Sequence, residues 1–373
     1  MIQDIAVIGA STTGLYAAEL LAISGKNVTL YERSSVLSPQ ERTYIITPSI
    51  KQVIPDLDPA LIRHRVDRIS LEAGKTEAEI KLSSPDLILD RRELISELAR
   101  RAENAGVDIK LGCVFKGLSS SGDPELIFGS GQEQFSSRAD WLIGADGAKS
   151  AVRKSIGKEL LQTVPLLQAQ VNLPDNFDNG ITKVWFRAEK TPFFFWLIPD
   201  RNNKGVVGLI AETETDIRDL LDSFLEEQGF KVNSYQSGVA SLHQRGLLNH
   251  FRFGNLPVSL IGDAAGQVKV TTVGGTVTGL AGARATAEGI LSGTILSRTH
   301  FALERELNLH LFIRKLLQRM APRDYINLVE SINPAVKSFL SARDRDSMRA
   351  HFWKLPFLQP KFIPLGLRLL LRL

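Results

Sequence analysis

An α/β chain built on a parallel sheet is predicted by three junctions between an apolar run and a glycine-containing turn. Near the start Ile5-Ala6-Val7-Ile8 meets Gly9, with Gly14 a turn later. In mid-chain Trp141-Leu142-Ile143 meets Gly144-Ala145-Asp146-Gly147, and late in the chain Val258-Ser259-Leu260-Ile261 meets Gly262-Asp263 and the pair Gly274-Gly275. The first two runs lack the alternation of a half-solvated strand, and all three lead into helical segments. That is the pattern of βα units whose strands are covered on both faces.

The first element is Ile5–Ile8, a buried strand, followed by the turn GASTTG and a helix over Leu15–Ser24 that Gly25 closes. Asn27–Tyr31 is the next strand and ends on Glu32-Arg33, completing a βαβ unit. The run in ERTYIITPSI is short and apolar. Val66–Leu71 and Ala78–Leu82 around Gly74-Lys75 read as a hairpin belonging to another sheet. Asp90-Arg91-Arg92 opens a helix over Glu93–Asn104 with Leu94, Leu98 and Ala102 on one face and Gly106 as its stop, and Val107–Leu111 follows as a strand. Val114–Leu118, Glu125–Phe128 and Gln134–Ser136 form a β-meander. Trp141–Ile143 then leads through glycines into a helix carrying Ser150 and Arg153.

Residues 155–255 differ in character. Trp185-Phe186 and Pro192-Phe193-Phe194-Phe195-Trp196-Leu197-Ile198-Pro199 are aromatic and poorly alternating, as suits a strand facing an apolar cavity or a sheet covered by helices. A turn over Asp200–Lys204, a strand over Gly205–Ala211 and a helix over Thr215–Glu227 stopped by Gly229 complete this part. Further helices are expected over Gly279–Leu296, Phe301–Arg319 and Pro322–Ile332. From Met348 to Leu373 there is no acid, while Arg349, Lys354, Lys361, Arg368 and Arg372 alternate with Phe352, Trp353, Phe357, Phe362 and leucines. Such a tail fits an interfacial membrane contact, or a helix packed on the protein's own body or in a dimer.

Composition narrows the class. The chain has 373 residues, enough for two domains or one large one, and is 43% hydrophobic and 23% charged, an ordinary globular balance. The net charge of +4 comes without Lys/Arg blocks or a nucleic-acid fingerprint, so no nucleic-acid partner is expected. The single cysteine, Cys113, rules out an internal disulfide and a cysteine-based zinc site, and no metal is expected. No apolar run reaches the roughly 18 residues of a spanning helix, and no charged-then-apolar leader precedes the first strand. The expected location is cytoplasmic, with 348–373 as a candidate peripheral contact with a membrane surface.

The junctions carry chemistry. Gly9 and Gly14 hold the first and last places of a GxGxxG dinucleotide turn. Ser11 replaces the middle glycine, small enough to admit a diphosphate and offering it a hydroxyl. Glu32, 18 positions after Gly14, is placed for ribose hydroxyls, and an acid there disfavours a 2′-phosphate, leaving FAD or NAD. Asp263 ends its strand as a carboxylate for ribitol or ribose hydroxyls. Gly274-Gly275 bare backbone N–H groups at a positive helix end, suited to phosphate or an electron-rich ring edge.

GxxxxG with a following acid, GADGxxSxVR and GDAAG with a glycine pair occur in the order seen in FAD-dependent aromatic hydroxylases and geranylgeranyl reductases. The late motif GDAAGQVKVTTVGG is similar to GDAAGxVxPxTGGG of the geranylgeranyl reductase branch. Phe194–Pro199 with Val207-Gly208 resembles its YxWxFP…VGxG element, and Glu304–Val329 with Asp344–Asp346 resembles its C-terminal helices. Val270 stands in place of the branch's proline, Val273 of its first glycine and Phe194 of its tyrosine. Gly266 stands where hydroxylases carry histidine, whereas ERTYIITP is closer to the hydroxylase branch than to the cysteine-containing segment of the reductases.

The resemblance implies a Rossmann-like FAD-binding domain, a ββα-variant parallel sheet plus β-meander, with an inserted α+β substrate domain and a helical C-terminus. The expected bounds are 1–65, 85–158 and 255–300 for the discontinuous FAD domain, 66–84 and 159–254 for the substrate domain, and 301–373 for the C-terminal helices and tail. FAD contacts are then assigned to Gly9, Ser11, Thr13, Gly14, Glu32, Arg33, Arg42, Arg91, Asp146, Gly147, Gly262, Asp263, Gly274 and Gly275. Lys269 is a further candidate for charge near the flavin, and Phe194, Trp196 and Pro199 for the substrate pocket. No acid/base residue is nominated. The implied activity is reduction of C=C bonds in an isoprenoid or other apolar chain, with electrons from NAD(P)H or a ferredoxin-like carrier. Alternatives are a flavin monooxygenase acting on an apolar or aromatic substrate, a flavin halogenase suggested by Trp196-x-Ile198-Pro199, and a non-catalytic FAD-binding protein.

Overall fold

The computed structural model describes residues 2–37, 41–119, 123–213, 216–294, 297–342 and 344–371. The expected element ends at Thr215, Leu296, Arg372 and Leu373 lie outside these. The chain divides into two compact units. One comprises Met1–Glu41, Arg91–Thr163 and Ala240–Asn308, the other Arg42–Asp90, Val164–Val239 and Leu309–Leu373.

The first unit contains a six-stranded sheet in the order His250–Phe253, Leu256–Leu260, Trp141–Gly144, Asp4–Ile8, Asn27–Tyr31, Asp108–Lys110. Its pairings are parallel except at the His250–Phe253 edge, which is antiparallel. Register matters most for function. Ile8 lies opposite both Tyr31 and Gly144, and Gly144 lies opposite Leu260, so four parallel strands end in one row. Gly9, Glu32, Asp146 and Asp263 therefore emerge at the same carboxyl edge of the sheet, where open α/β sheets bind ligands.

The helices of this unit begin earlier than apolar spacing alone predicts. The first spans Thr12–Ile23 rather than starting at Leu15, because Ser11 caps it by accepting from the Gly14 N–H at 3.1 Å. Arg91–Asn104 buries Leu94, Leu98 and Ala102 as expected. The late helix spans Thr276–Ser292 and ends at Gly293, whose φ is +70°. The expected meander forms a separate antiparallel sheet of Val114–Leu118, Leu126–Ser130 and Glu133–Ser137. There Phe128 stacks between Tyr31 and Phe135, with ring centroids 4.1 and 5.1 Å away.

The second unit is built on an eight-stranded sheet in the order Val232–Ser241, Thr163–Asn172, Lys204–Ile210, Phe195–Pro199, Ile181–Phe186, Ile62–Ala73, Thr76–Asp90, Thr43–Ile46. Residues 42–65, expected beside the nucleotide-binding part, group here because Thr43–Ile46 pairs antiparallel with Thr76–Asp90. Residues 240–254, expected in the substrate domain, group with the first unit because His250–Phe253 is an edge of its sheet. One face is a core of Phe195, Leu197, Val207 and Leu209 against Leu221, Phe224 and Leu225 of the helix Ile217–Glu227. Phe194 and Trp196 alternate with these and point to the opposite face.

The tail is helical over Leu355–Leu358 and Phe362–Leu370. Leu369 is buried with Met320, Tyr325 and Val329, and Leu365 packs against the same cluster. Among the described residues no helix is long and apolar enough to cross a membrane.

Candidate cofactor site

The site grows from the glycine turn after the first strand. Gly9 adopts φ +106°, and a Cβ there would stand 2.6 Å from the Ala145 carbonyl oxygen. A Cβ on Gly14 would overlap the Gly9 carbonyl oxygen and come within 3.0 Å of Ala145 Cβ. Both glycines are thus required by the closeness of turn, helix and neighbouring strand tip.

Ser11 is held within the turn as the cap of the first helix. Its hydroxyl donates to the Ala145 carbonyl at 3.1 Å, accepts from Gly14 N–H at 3.1 Å and lies 2.9 Å from the Thr13 hydroxyl. A hydroxyl has one proton and two lone pairs, and all are engaged inside the protein. Ser11 therefore closes the turn from within. Glu32 bridges the same turn, accepting from Ala10 N–H at 2.8 Å and from Ser34 N–H at 2.9 Å. Each carboxylate oxygen keeps a lone pair for a sugar hydroxyl.

The second junction is organised around Asp146. Its carboxylate accepts from the Ser150 hydroxyl at 2.6 Å and from the Ala151 and Val152 N–H groups at 2.6 and 3.0 Å. Burial raises its pKa from the ordinary value, against the pull of these bonds. Asp146 thus caps the short helix Ala151–Ser155, while Gly147 turns with φ +80°. Arg153, part of the motif but not assigned a role from sequence, is buried and ties the second junction to the third. Its Nε donates to the Glu159 carbonyl at 2.7 Å and its Nη1 to the Ala264 carbonyl at 3.2 Å.

At the third junction Gly262 has φ +62° and packs on Thr13, whose Oγ1 would be 2.8 Å from a Cβ there. Gly279 packs on Thr13 Cγ2 in the same way, so the Gly/Ala-rich helix sits tightly against the first. Gln267, which no sequence signal marked, accepts from Gly262 N–H at 2.7 Å, and its carbonyl accepts from the Thr278 hydroxyl at 2.6 Å. Gly266 adopts φ +66°, a conformation that favours glycine, and a Cβ there would displace the terminal methyls of Leu247 and Leu161, 2.8 and 2.9 Å away.

Gly275 is the N-cap of the helix Thr276–Ser292 and supplies no side-chain cap. The first N–H groups of a 17-residue helix are left for another acceptor. Asp263 stands beside them. Its Oδ1 would be 3.5 Å from a Cβ on Gly275, and its Oδ2 accepts from Ser241 N–H at 3.2 Å. Lys269 is buried, its N–H donates to the Gly274 carbonyl at 3.1 Å, and its Nζ would be 3.9 Å from a Cβ on Gly274. Val273, where the resembled motif has glycine, holds φ +52°, a conformation a β-branched residue adopts only under constraint.

Of the remaining residues assigned from sequence, Arg91 begins its helix in this unit and Arg33 is exposed after the second strand. Arg42 belongs to the other unit, where its guanidinium lies over Tyr44 at 5.9 Å and against Gly238. Phe194, Trp196 and Pro199 also lie in that unit. Gly208 pairs with Trp196, and a Cβ there would meet the indole at 2.5 Å and Gln168 Cβ at 2.7 Å, so the glycine exists to seat the ring. Among the described residues no group of His, Cys, Asp or Glu is arranged to hold a metal.

The fit to FAD rests on glycines that tolerate no Cβ, a carboxylate at the glycine turn and a second one beside an uncapped helix start. Comparisons agree. The family described as FAD binding domain matches residues 3–291. Digeranylgeranylglycerophospholipid reductase 1 of Methanothermobacter thermautotrophicus is 24% identical over 318 residues, covering 78% of this chain and 76% of the relative. Geranylgeranyl diphosphate reductase of a Synechocystis strain is 25% identical over 313 residues, with 78% and 76% covered. The crystal structure of a geranylgeranyl bacteriochlorophyll reductase-like protein from Thermoplasma acidophilum superposes with a TM-score of 0.79 at 19% identity, covering 97% of this chain and 98% of the other. The chain belongs to the FAD binding domain family and is an FAD-dependent oxidoreductase, similar to the geranylgeranyl reductases.

Proposed function

We propose that this oxidoreductase reduces C=C bonds of an isoprenoid or similar apolar chain. The carrying observation is the strand Phe195–Pro199 with its partner Lys204–Ile210, where Gly208 is kept bare to seat the Trp196 indole, which meets the Phe194 ring edge to face at 6.1 Å. An aromatic surface of this kind holds hydrocarbon without charged recognition. The names of the reductases to which the chain is similar support the same substrate class.

In this reading bound FAD supplies the hydride. Gly9 and Gly14 let the backbone approach its diphosphate, Glu32 and Asp263 accept from its sugar and ribitol hydroxyls, and Arg91 serves the phosphate–ribose portion. The N–H groups after Gly275 stabilise negative charge at the ring edge, with Lys269 adding a cation nearby. Phe194 and Trp196 hold the chain and exclude water. Electrons come from NAD(P)H or a ferredoxin-like carrier.

The test is anaerobic turnover of a geranylgeranyl lipid with chemically reduced protein. Products heavier by two mass units per double bond support the proposal, and unchanged lipid with flavin that stays reduced rejects it. A second reading, oxygen insertion into an apolar or aromatic substrate, is favoured by the segment around Arg42 and Tyr44, which resembles the hydroxylases rather than the reductases.

A further inference from the structure

After Asp346 the chain contains no acidic residue, and Arg349, Lys354 and Lys361 are exposed. Within this stretch the helix Phe362–Leu370 has two apolar sides. Its inner side is accounted for: Leu365 and Leu369 pack on Met320, Tyr325 and Val329, and Arg368 pairs with Asp324. On the outer side, helical spacing gathers Ile363, Leu367, Leu370 and the adjoining Leu371 within an arc of about 100°. These are 47, 57, 42 and 89% exposed. Trp353 and Phe357 on the preceding turns are 61 and 86% exposed.

A helix lying on a globular body ordinarily turns polar residues outward. Here the outward arc is apolar, and the charged residues of this stretch are all cations. Large exposed apolar patches mark interaction surfaces, and the charge selects the partner. A second copy joined by a two-fold axis would bring the same cations together. We propose that residues 347–371 dock the chain on an anionic lipid bilayer. Trp353, Phe357, Ile363, Leu367 and Leu371 enter the headgroup boundary, and Lys354 and Lys361 meet lipid phosphates. This goes beyond the catalytic reading and does not depend on it.

The experiment is flotation of full-length, FAD-loaded protein, followed by flavin absorbance, with vesicles rich in phosphatidylglycerol or made of phosphatidylcholine alone. Co-flotation with the anionic vesicles is expected, weakened by salt. It should fall at least about tenfold in I363Q/L367Q/L371Q and, by the charge route, in K354E/K361E. All these side chains are exposed, and retained flavin content verifies the fold. Absence of flotation, flotation of both variants at the wild-type level, or a dimer that the triple variant dissociates without any lipid binding would each overturn the proposal.

Discussion

Replacing Gly14 with alanine probes the glycine turn directly. The new methyl would overlap the Gly9 carbonyl oxygen and stand 3.0 Å from Ala145 Cβ. The obstacle is backbone on one side and the tip of a neighbouring strand on the other, so no rotamer change relieves it. Alanine in place of a helical glycine gains up to about 1 kcal/mol, whereas overpacking costs about 1–3 kcal/mol and more against rigid partners. The turn must therefore open, and any ligand that needs it closed bears the difference. A loss of about 1.4 kcal/mol weakens FAD roughly tenfold. The control is Gly25→Ala, where φ is +80° but nothing lies within 4 Å. It should cost about 1–2 kcal/mol of stability through backbone strain alone and leave FAD affinity untouched. Urea unfolding of both apo variants and FAD titration by fluorescence quenching separate the two effects. FAD binding by Gly14→Ala at wild-type strength, or an equal loss in Gly25→Ala, would refute the assignment of this turn.

Three further expectations concern separate places. Gly208→Ala would push the Trp196 indole off its seat, from a contact of 2.5 Å, and should raise KM for an apolar substrate while FAD affinity stays constant. Lys269→Met should lower the midpoint potential of bound FAD by on the order of 30 mV, about 1.4 kcal/mol for a two-electron couple, read by dye-equilibrated reduction. An unchanged potential would remove Lys269 from the flavin's surroundings. Burial, with the neighbouring His300 adding to it, lowers the His250 pKa to about 4 from 6.5. The unfolded chain therefore binds the extra proton first, and stability present above pH 6.5 is lost as pH falls towards 4. The shift corresponds to at most about 3 kcal/mol. His250→Gln should flatten that part of a urea-midpoint profile, and an unaltered slope would exclude this histidine as its source.

Much of the cofactor unit was legible because its signals are local. Ile5–Ile8 and Asn27–Tyr31 are short apolar runs beside obligatory turns, and the Gly–Asp endings mark where strands stop. Strand Thr76–Asp90 was less legible. The strand expected over Ala78–Leu82 stops short of Ser83-Ser84-Pro85, yet the ladder runs on past the proline because the register shifts between Val66 and Arg68 there. The inward hydroxyl of Ser11 and the link from Arg153 to Ala264 depend on strands more than a hundred residues apart, beyond any spacing rule. Val273 was visible as a departure from a glycine position, but its φ of +52° is fixed by the Lys269–Gly274 bridge across its loop. The glycine at 266 was visible too, and the structure supplies the reason in its φ of +66°.

The central claim is that the reduced flavin serves an apolar double bond rather than oxygen. The most direct measurement mixes anaerobically reduced, FAD-loaded protein with a geranylgeranyl lipid, and separately with oxygen in the presence of that lipid, following flavin absorbance and product mass. The expected result is faster reoxidation by the lipid alone, with two mass units gained per double bond. Reoxidation only by oxygen, with products gaining an oxygen atom, would contradict it.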